Sequence, residues 1–142
     1  MISIIIPALN EEKYLPKLLN CIKKQTYKNY EIIVADAESK DKTVQIAKKY
    51  KCKIAKGGMP AVGRNNGAKT AKGDVFLFLD ADVKFDKNFL KNAIEEFNSR
   101  KLDIAGCYIR PLGNNFIDRI FFEIFNLWTA ITQFFYPNAS GS

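Results

Sequence analysis

Val75-Phe76-Leu77-Phe78-Leu79 is an unbroken apolar run that ends abruptly in Asp80-Ala81-Asp82. A strand apolar on both faces has to be covered on both, as at the centre of a parallel sheet wrapped by helices. No other feature restricts the fold as much, and the rest of the chain agrees with it. The β-branched runs Ser3–Ile6 and Glu31–Ala35 alternate with segments whose apolar residues recur at helical spacing, such as Leu15, Leu18, Leu19 and Ile22. Cys52–Ala55 reads as a weak third strand and Ile104–Ile109 as a further one. Asn10 is expected to cap the first helix, with Glu11 and Glu12 in its first turn. Asp41 is expected to cap a short helix carrying Val44 and Ala47. Pro60 suits the start of another helix, to about Ala71. Asp86 is expected to cap a helix with Phe89, Leu90, Ala93, Ile94 and Phe97 on one face. Such alternation predicts an α/β fold with a mainly parallel central sheet.

Composition decides which chemistries remain. A chain of 142 residues suits one domain that buries ~68–70% of its unfolded surface, so no disulfide or metal staple is needed. It contains no histidine, which removes His-based triads, HExxH zinc sites and Cys/His fingers. Cys21, Cys52 and Cys107 have no CxxC spacing and read as small apolar side chains of a reduced chain. Ile2–Ile6 is too short for the apolar stretch of a signal peptide. A cytoplasmic location is therefore expected, at most peripheral at the inner membrane face. The net charge of +7 suits an anionic partner. The basic residues are spread from Lys13 to Arg119, densest at Lys48–Lys53 on a predicted helix end. No nucleic-acid motif accompanies them, so nucleic acid is not an expected partner.

In parallel α/β sheets ligands bind beyond the carboxyl ends of the strands. Three polar clusters fall there: Pro7–Glu11, Asp36-Ala37-Glu38-Ser39 and Asp80-Ala81-Asp82. If the chain stays extended, Asp80 and Asp82 share a face ~6.6 Å apart. Paired carboxylates suit Mg²⁺ or Mn²⁺ bound with room for substrate phosphates; equally, Asp82 or Asp86 caps the next helix. Asp36 can accept hydrogen bonds from a base or ribose, or form an Asx turn. Ser39, Asp41 and Thr43 look like turn chemistry. Arg64, in Gly63-Arg64-Asn65-Asn66-Gly67, offers a planar fork for phosphate or a base edge, or is a surface helix arginine.

Taken in order, these segments resemble family 2 glycosyltransferases of the GT-A fold. The resemblance rests on Ile4–Glu12, Glu31–Thr43, Gly63–Gly67 and Gly73–Asp82, and covers about residues 2–110. It implies a Rossmann-like GT-A sandwich, a UDP- or GDP-linked sugar donor, a divalent cation (Mg²⁺ or Mn²⁺) and an inverting transfer to a glycan or lipid acceptor. By resemblance, Pro7, Ala8, Asn10, Glu11 and Asp36 hold the nucleoside and Arg64 faces the nucleotide. Asp80 contacts ribose or metal, and Asp82 is the main metal ligand. Glu38 stands where the family usually has glycine. Family catalytic domains are longer, so the resemblance implies a C-terminally truncated domain. Residues 1–110 would be its donor part and 111–142 the start of its acceptor side. The general base, an Asp in the family, would lie beyond Ser142. The alternative is a nucleotide-sugar-binding module or fragment without catalysis.

Phe116–Tyr136 concentrates aromatics, including Phe121, Phe122, Phe125 and Trp128, interrupted by Asp118, Arg119, Glu123, Asn126 and Gln133. It reads as a broad-faced amphipathic helix rather than a membrane span. That face suits packing on a further part of the domain, on a second copy in a homo-oligomer, or on a membrane interface.

Overall fold

Isoleucine supplies the centre of the sheet. In β1 (Ile2–Ala8) every residue but Pro7 is buried, and Ile4, Ile5 and Ile6 are wholly inaccessible. The computed structural model describes residues 1–107 and 116–135. Its elements run β1, α1 (Leu15–Lys23), β2 (Tyr30–Asp36), α2 (Thr43–Lys49), β3 (Lys53–Lys56), α3 (Pro60–Thr70), β4 (Val75–Phe78), α4 (Phe89–Ser99) and α5 (Phe116–Phe135). The four strands form one sheet in the order β3-β2-β1-β4, parallel throughout. Alternation along β1 divides the core between two layers. Ile2, Ile4 and Ile6 pack with Val34 against Leu15, Leu18, Leu19 and Ile22 of α1, Ala47 of α2 and Leu90 of α4. Ile5 faces the other way, with Ile33, Ala35, Ala55 and Ala68 of α3. Full burial of each such isoleucine stabilises the fold by roughly 1.5–3 kcal/mol. Helix α3 lies so close that a Cβ on Gly67 would stand 2.4 Å from Ile5 Cγ2.

Among the described strands, the apolar run at 75–79 is not central. Within the described sheet β4 is an edge strand. Phe76 and Phe78 pair with Ser3 and Ile5, which puts their rings on the α3 face. Helix α3 packs on β1, β2 and β3, and the two rings are left 47% and 44% exposed. The opposite face of the same strand contributes Leu77 to the larger core. The further strand expected at 104–109 does not form over Ile104–Cys107; Tyr108 and Ile109 lie outside the described residues.

One helix start also differs from expectation. Asn10 does not cap α1, which begins at Leu15 after Tyr14 without a side-chain cap. Asn10 instead sits in the left-handed region at φ 56°. Asp41 does act at the head of α2, where its Oδ1 accepts the Thr43 N–H at 2.9 Å. Pro60 opens α3 as expected.

The chain divides into two compact units, Met1–Glu95 and Glu96–Ser142. The first contains the sheet. The second contains α5, where Phe116, Ile117, Phe121, Ile124, Leu127 and Trp128 are exposed. Among the described residues no helix is long and apolar enough to cross a membrane. Tyr136 and Asn138–Ser142 lie outside the described residues.

Candidate functional site

The carboxyl ends of β1, β2 and β4 meet at one rim of the sheet. Ala8 pairs with Asp36, the Ala37 N–H donates to Ala8 O, and the Leu79 N–H donates to Ile5 O. All three polar clusters therefore emerge on the same edge.

The first two clusters lock onto each other. Ser39 Oγ accepts the Asn10 N–H at 2.9 Å, and Asn10 Oδ1 accepts the Lys40 N–H at 2.8 Å. Thr43 Oγ1 accepts the Glu11 N–H. Asp41 Oδ2 accepts the Glu12 N–H, and Glu12 Oε2 returns the favour by accepting from Lys42 N–H. Ser39, Asp41 and Thr43 are thus structural, holding the β1–α1 loop against the β2–α2 loop. The turn residue Glu38 has φ 63°, a conformation that glycine adopts without a Cβ penalty.

Asp36 takes up the turn, one of the two roles expected of it. Its Oδ2 accepts the Ser39 N–H at 3.1 Å, closing a turn. Its Oδ1 is buried and has no partner. Behind it, the Gly57 N–H donates to Asp36 O at 2.7 Å. A Cβ on Gly57 would fall 2.3 Å from the Asp36 carbonyl carbon, so β3 can approach β2 here only through glycine.

Arg64 projects from the first turns of α3, anchored nearby by Asn66 Nδ2 donating to Lys56 O. One guanidinium nitrogen, Nη2, donates to Asp80 Oδ1 at 3.0 Å. Its Nε is buried without a partner. Buried polar atoms are nearly always satisfied, and each exception calls for an explanation such as a ligand. Asp36 Oδ1 and Arg64 Nε are one acceptor and one donor, both at this rim.

The chain does not stay extended through Asp80-Ala81-Asp82. The Val83 N–H reaches back to Asp80 O, a turn that buries Ala81 and exposes both acids. The shared strand face expected for Asp80 and Asp82 is therefore replaced by a turn. The acids still converge on the first loop: the Glu11 carboxyl is pushed up by burial and then by the charges of Asp82, Asp41 and Asp80. A cation at this point would relieve that repulsion. Among the described residues no group of three or more acidic or sulfur side chains forms a metal cage. The donor set fits a hard cation held by one or two carboxylates and completed by substrate phosphates and water.

Gly57-Gly58 reads in the sequence only as a chain break, and neither the close approach of Gly57 to Asp36 nor the role of Gln25 was foreseen. Gln25 is fully buried. Its Nε2 donates to Asp86 O at 2.6 Å and its Oε1 accepts the Leu90 N–H at 3.0 Å. It clamps the segment that follows Asp82. The signal was present: position 25 continues the apolar stripe of Leu18 and Ile22, and a polar side chain there must find buried partners.

The family described as "Glycosyl transferase family 2" matches residues 3–139. The chain belongs to glycosyltransferase family 2. A curated relative, the poly(ribitol-phosphate) beta-N-acetylglucosaminyltransferase TarS of Staphylococcus aureus, is 35% identical over 112 residues. That match covers 72% of this chain and 20% of the relative. The crystal structure of S. aureus TarS 1–349 in complex with UDP superposes with a TM-score of 0.66 at 30% identity, over 80% of this chain and 38% of that one. A mannosyltransferase from Pyrobaculum calidifontis, solved with GDP-Man and Mn²⁺, has a TM-score of 0.62 at 22% identity, over 68% of this chain and 32% of its own. The latter likeness shows the fold alone. The family 2 chain thus has a GT-A fold and spans 20% of the length of the curated relative.

Proposed function

We propose that this chain is the donor-binding part of a glycosyltransferase that moves a sugar from a UDP- or GDP-linked donor to an acceptor on a glycan or lipid, with inversion. The observation that carries the reading is the pair of buried, unpartnered atoms at the rim, Asp36 Oδ1 and Arg64 Nε. A nucleotide offers both complements: N–H or O–H donors on base and ribose for the carboxylate, and anionic oxygens for the guanidinium. Pro7, Ala8, Asn10 and Glu11 form the loop beside them, already ordered by its bonds to Ser39 and Thr43. Asp80, oriented by Arg64, faces ribose or metal, and Asp82 is the main metal ligand. When bound, Mg²⁺ or Mn²⁺ supplies Lewis-acid stabilisation of the departing nucleoside diphosphate. No acid of this chain is assigned as general base. TarS, by its name, acts on a phosphate polymer with N-acetylglucosamine, which supports a UDP-linked amino sugar as the first donor to try. The exposed apolar face of α5 supports peripheral contact with a membrane.

Isothermal calorimetry with UDP, with and without Mn²⁺, tests the reading. Metal-dependent binding that is lost in Asp82→Asn is expected. Absence of heat with UDP and with GDP, in the presence of Mn²⁺, would overturn it. Transfer measured with UDP-GlcNAc separates an enzyme from a binding module.

A further inference from the structure

Lysines scattered in the sequence are gathered by the fold. From Lys42 to Gly73 the chain has nine lysines and arginines and no acid, and from Lys13 to Tyr30 it has lysines and no acid. Because every strand runs parallel, the three crossover helices all end at the same pole, opposite the rim. Lys23 and Lys24 close α1, Lys48 and Lys49 close α2, and Lys69 and Lys72 close α3 and its exit turn; all six side chains are exposed. None of them is ion-paired to a described carboxylate. Two acids at this pole are ion-paired, Glu31 with Lys53 and Asp74 with the terminal ammonium; Asp86, whose Oδ1 accepts the Asn88 N–H, keeps its charge and is outnumbered by the six lysines.

Lysine at a helix C-terminus complements the dipole, but three helices present only roughly −0.5 charge each. The helix ends and Asp86 together offset only part of the charge of six lysines, so an excess positive charge remains in the described structure. Arg64 lies at the other end, and the nearby Tyr27, Tyr30 and Tyr50 are partly buried against the core. Neither forks for bidentate phosphate nor rings for stacking bases are on offer, which disfavours nucleic acid. Compact, mobile ammonium groups spread over one pole suit a diffuse anionic surface.

We propose that the lysine pole at the amino ends of the strands docks on an anionic lipid bilayer, leaving the acidic rim turned toward the aqueous side. This deepens the membrane contact proposed above. A basic patch by itself binds membranes reversibly, and a second, apolar element strengthens the hold; α5 in the same chain is such an element.

Co-sedimentation of the full chain with vesicles tests it. The vesicles are phosphatidylcholine alone or phosphatidylcholine mixed with phosphatidylglycerol. Binding to the mixed vesicles, abolished by high salt, is expected. The Lys24→Gln/Lys48→Gln/Lys49→Gln variant should bind about a hundredfold more weakly. The control Lys13→Gln/Lys40→Gln/Lys42→Gln removes equal charge near the rim and should bind as the parent does. Equal weakening in both variants would overturn the lysine pole and indicate only net charge. Unchanged binding in the first variant would overturn the pole while leaving membrane contact through α5 intact. Failure of the parent to bind mixed vesicles, or preference for a soluble phosphate polymer added as competitor, would overturn the bilayer itself. None of these outcomes bears on nucleotide binding, which calorimetry reads separately.

Discussion

Strand β2 carries one carboxylate near its start and another at its end, and the two have opposite fates. Near its start, Glu31 is saturated. Its Oε1 accepts from Ser3 Oγ at 2.7 Å and from the Lys72 N–H, and its Oε2 meets Lys53. Ser3 Oγ in turn accepts the Gly73 N–H at 2.9 Å. Burial opposes the charge on Glu31, but the bonds from Lys53, Ser3 and Lys72 outweigh it and hold the carboxyl at about 2. At the other end, Asp36 keeps one buried oxygen unsatisfied. One pole of the sheet spends its polar groups on holding the chain together; the other keeps two in reserve. The contrast sets a saturated end against an unsaturated one along a single strand.

The largest effects should appear at the rim and in binding alone. Asp36→Asn and Arg64→Lys are each expected to weaken UDP affinity about tenfold to a hundredfold, the range for a hydrogen bond to a charged group. Urea melts should shift by no more than about 0.5 kcal/mol. A large stability loss in either variant would break the contrast.

Gly67 lies between the two poles. Gly67→Ala drives a methyl into Ile5 and should cost about 1–3 kcal/mol in stability. Helix α3 also carries Arg64, so calorimetry on the same variant should register weaker nucleotide binding. Intact affinity would show that the rim tolerates a shifted α3.

At the saturated pole the expectation reverses. Glu31→Gln should cost about 1–2 kcal/mol with UDP affinity unchanged. The sign of the pH effect follows from the lowered carboxyl. Glu31 contributes its full stabilisation above its ordinary value of 4.5 and loses it as pH falls toward about 2. Acid denaturation followed by circular dichroism should therefore have a shallower limb over that window in Glu31→Gln than in the parent.

The smallest effect concerns the turn beside Asp36. Glu38 sits at φ 63°, where a Cβ is disfavoured. Glu38→Gly should stabilise the chain by a few tenths to about 1 kcal/mol, partly offset by the greater freedom of glycine when unfolded. Thermal melting reads it; destabilisation would mean that the Glu38 side chain contributes to the rim.

Much of the rim was legible because it depends on local order. Each polar cluster directly follows a strand, and parallel strands carry their ends to one edge whatever the rest of the chain does. Arg64 and Asp80 were singled out separately, but their 3.0 Å contact joins residues from α3 and the β4 exit, which no spacing rule links. The mutual locking of Asn10 with Ser39 and Lys40 was likewise illegible, and Asn10 was read as a helix cap in its place. The Asp80–Val83 turn escaped notice because two alternating acids look the same on an extended strand and in a turn.

Periodicity and residue type alone determined the four strands of the described sheet, most of the helices and the edge on which the acids collect, since burial of isoleucine and leucine acts through near neighbours; the same pattern misled at Ile104–Cys107, where no strand forms. The tertiary structure decided the rest. It made Val75–Phe78 an edge strand of the described sheet, because coverage depends on where α3 lands and not on how apolar the strand is. It left Asp36 Oδ1 and Arg64 Nε unsatisfied and satisfied Glu31, because partners for a buried polar atom come from residues distant in the chain. It turned dispersed lysines into a pole, because parallel crossovers bring the ends of three helices to one side.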